Sequence, residues 1–311
     1  MEENNQKERK EEKSETPMEK FYFGKFLDKH YKIILLIPII LLIISLTYLG
    51  VFYSKHHDIL YKDVTLSGGT TITLESDFNS DNLETSLKAK FQDISFTKLT
   101  DVITRKQIAL IIQSSATSDE LKTEIERILG YSLTEENSSI EFTGSSLSND
   151  FYKQLLIALI ISFILMSIVI FLLFKNFIPS IAVILSVFAD IVMPLAIIDY
   201  FGIKLSAAGI AAFLMLIGYS VDTDILLTSR ALKNSEGTLN HRIFRAFKTG
   251  ILMTFTALAA VLPAFFLFSG LPDSFKQIFL ILSLGLMADI LNTWLTNVSI
   301  IKWYCEKKGI R

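Results

Sequence analysis

Hydrophobic residues in this chain gather into long blocks. Uncharged runs occupy residues 33–54, 154–174, 205–221 and 249–272, while 180–200 and 275–301 are equally apolar except for Asp190 and Asp199 in one and Lys276 and Asp289 in the other. A helix needs about 20 predominantly apolar residues to cross the hydrocarbon core of a bilayer. The blocks therefore predict six spanning helices: a first at 32–54, then five at about 152–174, 179–200, 205–229, 249–269 and 275–301 within a membrane segment over 151–303. Pro194 and Pro263 fall inside two of these and predict kinks, because proline lacks a backbone donor and crowds the preceding turn.

Between the first two blocks the period changes. "GTTITLES" at 69–76 alternates as a strand does, and "DNLETSLKAKF" at 81–91 places apolar residues at helical spacing. "ISFTKLTDVIT" and "QIALIIQ" flank Arg105-Lys106 like the arms of a hairpin. "SDELKTEIERILG" opens on Ser118, carries a stripe of Leu121, Ile125 and Ile128, and stops at Gly130, after which "SSIEFTG" reads as a last strand. The order is β-α-β-β-α-β, so residues 55–150 read as a ferredoxin-like domain. "LSGGTTI" at 66–72 lacks the lysine and hydroxyl residue of a phosphate loop, and is a turn feeding the first strand. The expected fold class is an α-helical integral membrane protein with six transmembrane helices and an α+β ferredoxin-like (βαββαβ) extracytoplasmic domain.

Charge changes this picture in two ways. A net charge of −2 over 311 residues gives no basic excess for nucleic acid. The lysines and arginines also set an orientation, since short cytoplasmic connections collect them. The leader has Lys7 through Lys32, the 175–179 loop Lys175, the 230–248 loop Arg230, Lys233, Arg242, Arg245 and Lys248, and the tail Lys302, Lys307, Lys308 and Arg311; the opposite loops have only Lys204 and Lys276. Both termini are then cytoplasmic and 55–150 is extracytoplasmic, where Asn137-Ser138-Ser139 forms a glycosylation sequon. The mixed-charge leader, 1–31, has no apolar stripe and reads as disordered; 304–311 is a cytoplasmic tail. The first block is too long for a signal-peptide core and lacks a small-residue cleavage site, so it stays as an anchor. Cys305 is the single cysteine and the four histidines are scattered, so no disulfide, metal or cofactor site is expected. Neither H-E-x-x-H nor G-x-S-x-G occurs, and no enzyme activity is expected.

With this topology, "VTLSGGTTITLE" before the small domain, "PSIAVILSVFADI" in the third span, "GYSVDTDILLTSRALK" in the fourth and "LSLGLMADILNTWLTNVSIIKWY" in the sixth resemble the SecD/SecF family of protein-export membrane proteins, on the SecF side, over residues 20–308. The "VDTD" form is similar to the archaeal branch. Bacterial members typically carry Asn-Asp where this chain has Asp222-Thr223, so the bacterial aspartate falls on Thr223 and the acid is displaced by one residue. Asp222 coincides with the aspartate of the "VDAN" motif in SecD partners, which favours it over Asp224. Lys248 stands where bacterial members have an arginine at the start of the fifth span. The family belongs to the resistance-nodulation-division superfamily, whose members use twelve spans in two halves and commonly draw on the proton gradient. The resemblance implies a separate SecD subunit, association with the SecYE translocation channel, and assistance to exported polypeptides.

The intramembrane polar residues are the candidate chemistry. A carboxylate at mid-membrane costs roughly 2.5–3.5 kcal/mol on insertion scales and normally faces a bundle interior or a cavity. Proton-coupling candidates are Asp222, Asp224, Asp190 and Lys248; structural polar candidates are Asp289, Asn292 and Arg230, with Asn297 beside them. Residues two apart on a helix point about 200° apart, so Asp222 and Asp224 face different surroundings. Asp199, at a span end, reads as a solvated interfacial charge. Small residues crowd the fourth and fifth spans, which are therefore expected in the interior, whereas the bulky aliphatics of the first two suit membrane lipids. Three functions fit: a SecF-type export subunit coupled to the proton gradient, a half-size transporter of a lipid or small molecule, and a non-transporting scaffold of the channel.

Overall fold

The computed structural model describes residues 28–75, 80–91, 93–101, 104, 106–232, 237–267 and 273–310. The leader up to residue 27, Arg105 of the expected hairpin turn, Lys233, and the last two residues expected of the fifth span lie outside the described residues. Among the described residues six helices are long and apolar enough to cross a membrane, spanning Asp28–His56, Ser145–Phe174, Phe177–Tyr200, Ala207–Leu232, Leu239–Phe266 and Ser274–Lys308. A small antiparallel sheet lies between the first two.

In chain order the elements are α1 (Leu36–His56), α2 (Val64–Ser67), β1 (Gly69–Glu75), α3 (Asp81–Lys90), β2 (Ile94–Thr100), β3 (Gln107–Ser114), α4 (Ser118–Leu129), β4 (Ser138–Thr143), α5 (Ser145–Phe174), α6 (Phe177–Tyr200), α7 (Ala207–Leu232), α8 (Leu239–Leu267), α9 (Asp273–Leu291), a π-helical segment (Asn292–Asn297) and α10 (Val298–Lys308). The sheet runs β2-β3-β1-β4, antiparallel throughout, with Ile72 of β1 opposite Ile112 of β3 and Ile140 of β4. Alternation puts Ile72, Leu74, Leu110 and Ile112 on one face, where they meet Leu83 and Leu87 of α3 and Leu121 and Ile125 of α4. That apolar seam is the domain's core. The two-glycine turn is required by space: Gly68 and Gly69 have φ of 85° and 145°, and a Cβ would fall 2.5 Å from Ser145 Cα at the first and 2.3 Å from Ser114 O at the second.

α6 is the hub of the bundle, packed against α1, α5, α7, α9 and the π segment. Half or more of the apolar stretch of the third, fourth and sixth spans is buried, against less than a fifth in the first, second and fifth. The fifth span departs from expectation. Over its apolar stretch α8 turns inward only a narrow stripe, Gly250, Thr254 and Leu258, continuing from buried Ile243 and Ala246, and leaves Leu252, Met253 and Phe255 exposed, because its small residues are spread around the helix rather than collected on one face. α8 also begins ten residues before the apolar block, the charged turn at 239–248 being helical. The first span begins at Asp28, inside the stretch expected to be disordered. Three contacts anchor it: buried Lys302 donates to Asp28, Asn240 Nδ2 donates to Asp28 Oδ1 at 3.0 Å, and the Tyr31 hydroxyl donates to Glu306 Oε2 at 2.9 Å.

Candidate functional site

The sixth span changes winding at its centre. Residues Asn292–Asn297 form a π-helix, whose wider turn brings Asn292, Thr293, Thr296 and Asn297 into the interior, all buried. Single π turns inside α-helices are frequent at functional sites. Facing this turn are Asp190 of α6 and Asp224 of α7, and one turn earlier on α9 is Asp289; the three carboxyls are at most 1% exposed.

Each carboxyl is held by hydroxyls and amides. Asp190 accepts from Ser220 Oγ at 2.5 Å and Asn292 Nδ2 at 2.7 Å. Asp224 Oδ1 accepts from Asn297 Nδ2 at 2.7 Å and Thr293 Oγ1 at 2.9 Å. Asp289 Oδ1 lies 3.1 Å from the same Thr293 hydroxyl, and Asp289 Oδ2 lies 3.3 Å from both Thr223 Oγ1 and Thr254 Oγ1. Among the described residues none of the three is in an ion pair. Among the described residues Asp224 Oδ2 makes no close hydrogen bond, and the Ser186 hydroxyl, itself without another partner, is the donor turned toward that carboxyl.

The Thr293 bridge links two carboxyls through one hydroxyl. A threonine hydroxyl has one hydrogen to give. It can serve Asp224 or Asp289, and the second contact becomes a hydrogen bond only when that carboxyl carries its own proton. The hydroxyls on Asp289 Oδ2 have competing acceptors, Tyr219 O at 3.4 Å for Thr223 and Gly250 O at 3.2 Å for Thr254. With one carboxyl proton on the pair Asp224–Asp289, both Thr293 contacts can be hydrogen bonds. Three carboxylates in this setting, with no cation beside them, would carry an uncompensated buried charge.

The candidates read from the sequence divide. Asp190, Asp224, Asp289 and Asn292 converge. Asp222 does not join them: it is exposed on the outer face of α7, about 200° from Asp224. Lys248 is also exposed. Arg230 ties α7 to α8 through Arg245 O at 2.9 Å and Thr249 Oγ1 at 3.0 Å. Thr293, Ser220, Thr223, Thr254 and Ser186 were not singled out as site residues in the sequence. A signal existed for Thr293, four residues after Asp289 and so on its face. Among the described residues no group of three or more histidine, cysteine and acidic side chains is arranged to hold a metal ion.

The comparisons identify the lineage. The family model of the protein-export membrane proteins SecD/SecF, C-terminal, matches residues 125–307. The chain belongs to this family. It is 38% identical over 280 residues to the protein-export membrane protein SecF of Methanocaldococcus jannaschii, covering 89% of this chain and 96% of that one. It is 45% identical over 174 residues to SecF of Methanolacinia petrolearia, covering 56% of this chain and 61% of that relative. In fold it is similar to the crystal structure of SecDF, a translocon-associated membrane protein from Thermus, with a TM-score of 0.68 at 18% identity; the match covers 89% of this chain and 38% of the SecDF chain, so this chain spans well under half of that protein. Membership in the family assigns the chain to membrane-embedded protein export.

Proposed function

We propose that this chain is the SecF half of a two-subunit machine, partnered by a SecD subunit and docked on the SecYE channel, that uses the proton gradient to help exported polypeptides across the membrane. In this reading both termini are cytoplasmic, and the sheet domain, ferredoxin-like by its βαββαβ order and 4-1-3-2 strand arrangement, works outside the membrane. A partner half is supported by α8, whose apolar and small-residue surface is left open in the single chain, and by Asp222, an exposed acid on α7 of a kind that a membrane helix does not present to lipid.

One observation carries the proton reading: the Thr293 hydroxyl shared between Asp224 and Asp289, which hydrogen-bonds fully to both when one of them carries a proton. Asp224 is the acid of choice, because its second oxygen makes no close hydrogen bond, with the Ser186 hydroxyl at hand, and is open to a further proton or water. A proton moving through the full membrane field gains ~2.3 kcal/mol per 100 mV, comparable with the roughly 2.5–3.5 kcal/mol cost of a buried carboxylate, so the field can shift a balanced equilibrium between two bundle states. The test is polypeptide export into energised vesicles. Asp224→Asn should copurify with SecD yet lose the gradient-dependent part of export, while Asp222→Asn should lose less. Normal gradient-dependent export by Asp224→Asn refutes the proposal.

A further inference from the structure

A second buried acid lies at the domain-facing end of α6, away from the carboxyl cluster. Asp199 is 2% exposed and neither of its carboxyl oxygens has a hydrogen-bond partner, where the sequence suggested a solvated charge. It is nine residues from Asp190, hence about 13–14 Å along the helix and on its opposite side. Residues 57–63 form a strap across it. The strap is clipped to the loop before α7 by two backbone hydrogen bonds, Leu205 N–H to Tyr61 O at 2.6 Å and Asp63 N–H to Leu205 O at 2.9 Å.

The groups facing Asp199 are Tyr48 and His56 from the first span, Asp58 and the Tyr61 backbone from the strap, and Tyr152 from α5. Among the described residues His56 is the basic side chain facing it, and no lysine or arginine pairs with it. Lys62 is taken by Asp58 Oδ2 at 2.7 Å, with its ammonium 4.8 Å from the Tyr152 ring centre, and Lys204 turns to Asp93. Burial by itself would raise the Asp58 carboxyl, but hydrogen bonds from Lys62, Tyr152 and the Ile59 N–H bring it below the ordinary carboxylate value, so Asp58 keeps its negative charge. An ionised Asp199 would therefore be a buried charge facing a second negative one, with only the Tyr61 N–H turned toward it and no close hydrogen bond made. Neutral, it fits under the strap; ionised, it needs water, and the strap stands in the way.

We propose that Asp199 is a proton-binding site that keeps the 57–63 strap clipped to Leu205 when protonated and releases it when ionised, coupling external pH to the joint between the sheet domain and the bundle. The site is separate from the mid-membrane cluster and stands whether or not that cluster carries protons.

The test is hydrogen exchange on the full chain in lipid nanodiscs, read at the peptides containing Asp63 and Leu205 and corrected for the intrinsic pH dependence of exchange. Protection in the wild type should fall by about tenfold or more between about pH 5 and about pH 8, one pK unit corresponding to a factor of ten. Asp199→Asn should stay protected across the range. Asp199→Leu, which replaces the acid with an apolar group, should do the same and guards against a fault peculiar to the amide. Asp224→Asn should retain the wild-type fall, which separates this site from the export reading. A pH-independent wild type, or the same fall in both Asp199 variants, overturns the proposal.

Discussion

Thr293→Val removes the hydroxyl that joins two carboxyls and little else, since valine keeps the branched shape. Two contacts go, at 2.9 Å to Asp224 and 3.1 Å to Asp289. Asp224 Oδ1 keeps its bond from Asn297, and Asp289 keeps Thr223 and Thr254 on its other oxygen, so Asp289 Oδ1 is the atom stranded. Hydrogen bonds to charged groups contribute about 1.5–3 kcal/mol in water-soluble proteins. Between membrane helices the average is nearer ~0.6 kcal/mol, with a maximum of about 1.7, because the dissociated helices find other partners. With one contact well formed and one stranding a buried oxygen, the expected loss is about 1–2 kcal/mol. The assay is reversible unfolding of the purified chain in mixed micelles, with Thr293→Ser as the control that restores the hydroxyl. Thr293→Val within about 0.3 kcal/mol of wild type would show that the bridge contributes nothing and that the proton count drawn from it is wrong.

Further outcomes follow from close packing and from charge. Gly250→Ala should destabilise the bundle by about 1–3 kcal/mol in the same unfolding assay, because the new Cβ would lie 2.5 Å from the buried Trp294 ring and 3.0 Å from the Thr223 methyl, displacing a residue that holds Asp289. In the sheet domain, hydrogen bonds from Arg127 and Lys90 lower the Glu124 carboxyl from 4.5 to about 2. A lowered folded-state value means stability present above about pH 4.5 and lost as pH falls toward 2, so Glu124→Gln should flatten the acid limb of the domain's hydrogen-exchange protection in that window. Lys302→Met should free the start of the first span, seen as faster proteolysis near Asp28, since the substitution removes the ammonium shared by Asp28 and Asn240.

Much of the architecture was legible because membrane helices and amphipathic strands advertise themselves through length and period. The six apolar blocks became six long helices, and the alternation of Ile72 and Leu74, or the stripe of Leu121 and Ile125, lies where the domain core forms. The site was legible only in part. Two-residue spacing separated Asp222 from Asp224, but periodicity has no origin: nothing in "VDTD" says which acid turns inward until α7 packs on α6 and α9. The π turn at Asn292–Asn297 added a further uncertainty, since a 3.6-residue repeat misplaces Thr293 and Asn297 relative to Asp289. Asp199 resembled a solvated end charge because its cover, the 57–63 strap, comes from a distant part of the sequence. The helical start at Asp28 was hidden for the same reason, its partners being Lys302 and Asn240.

The central claim is that the bundle holds a proton between Asp224 and Asp289, and infrared spectroscopy of the carboxylic-acid C=O stretch in lipid-reconstituted protein tests it most directly. At neutral pH the wild type should show a protonated-carboxyl band that shifts in heavy water, changes frequency in Thr293→Val, and is lost from the Asp224→Asn, Asp289→Asn double variant. If the band survives unchanged in the double variant, or the wild type shows no protonated carboxyl at all, the shared proton does not exist and the cluster is a hydrogen-bonded helix contact.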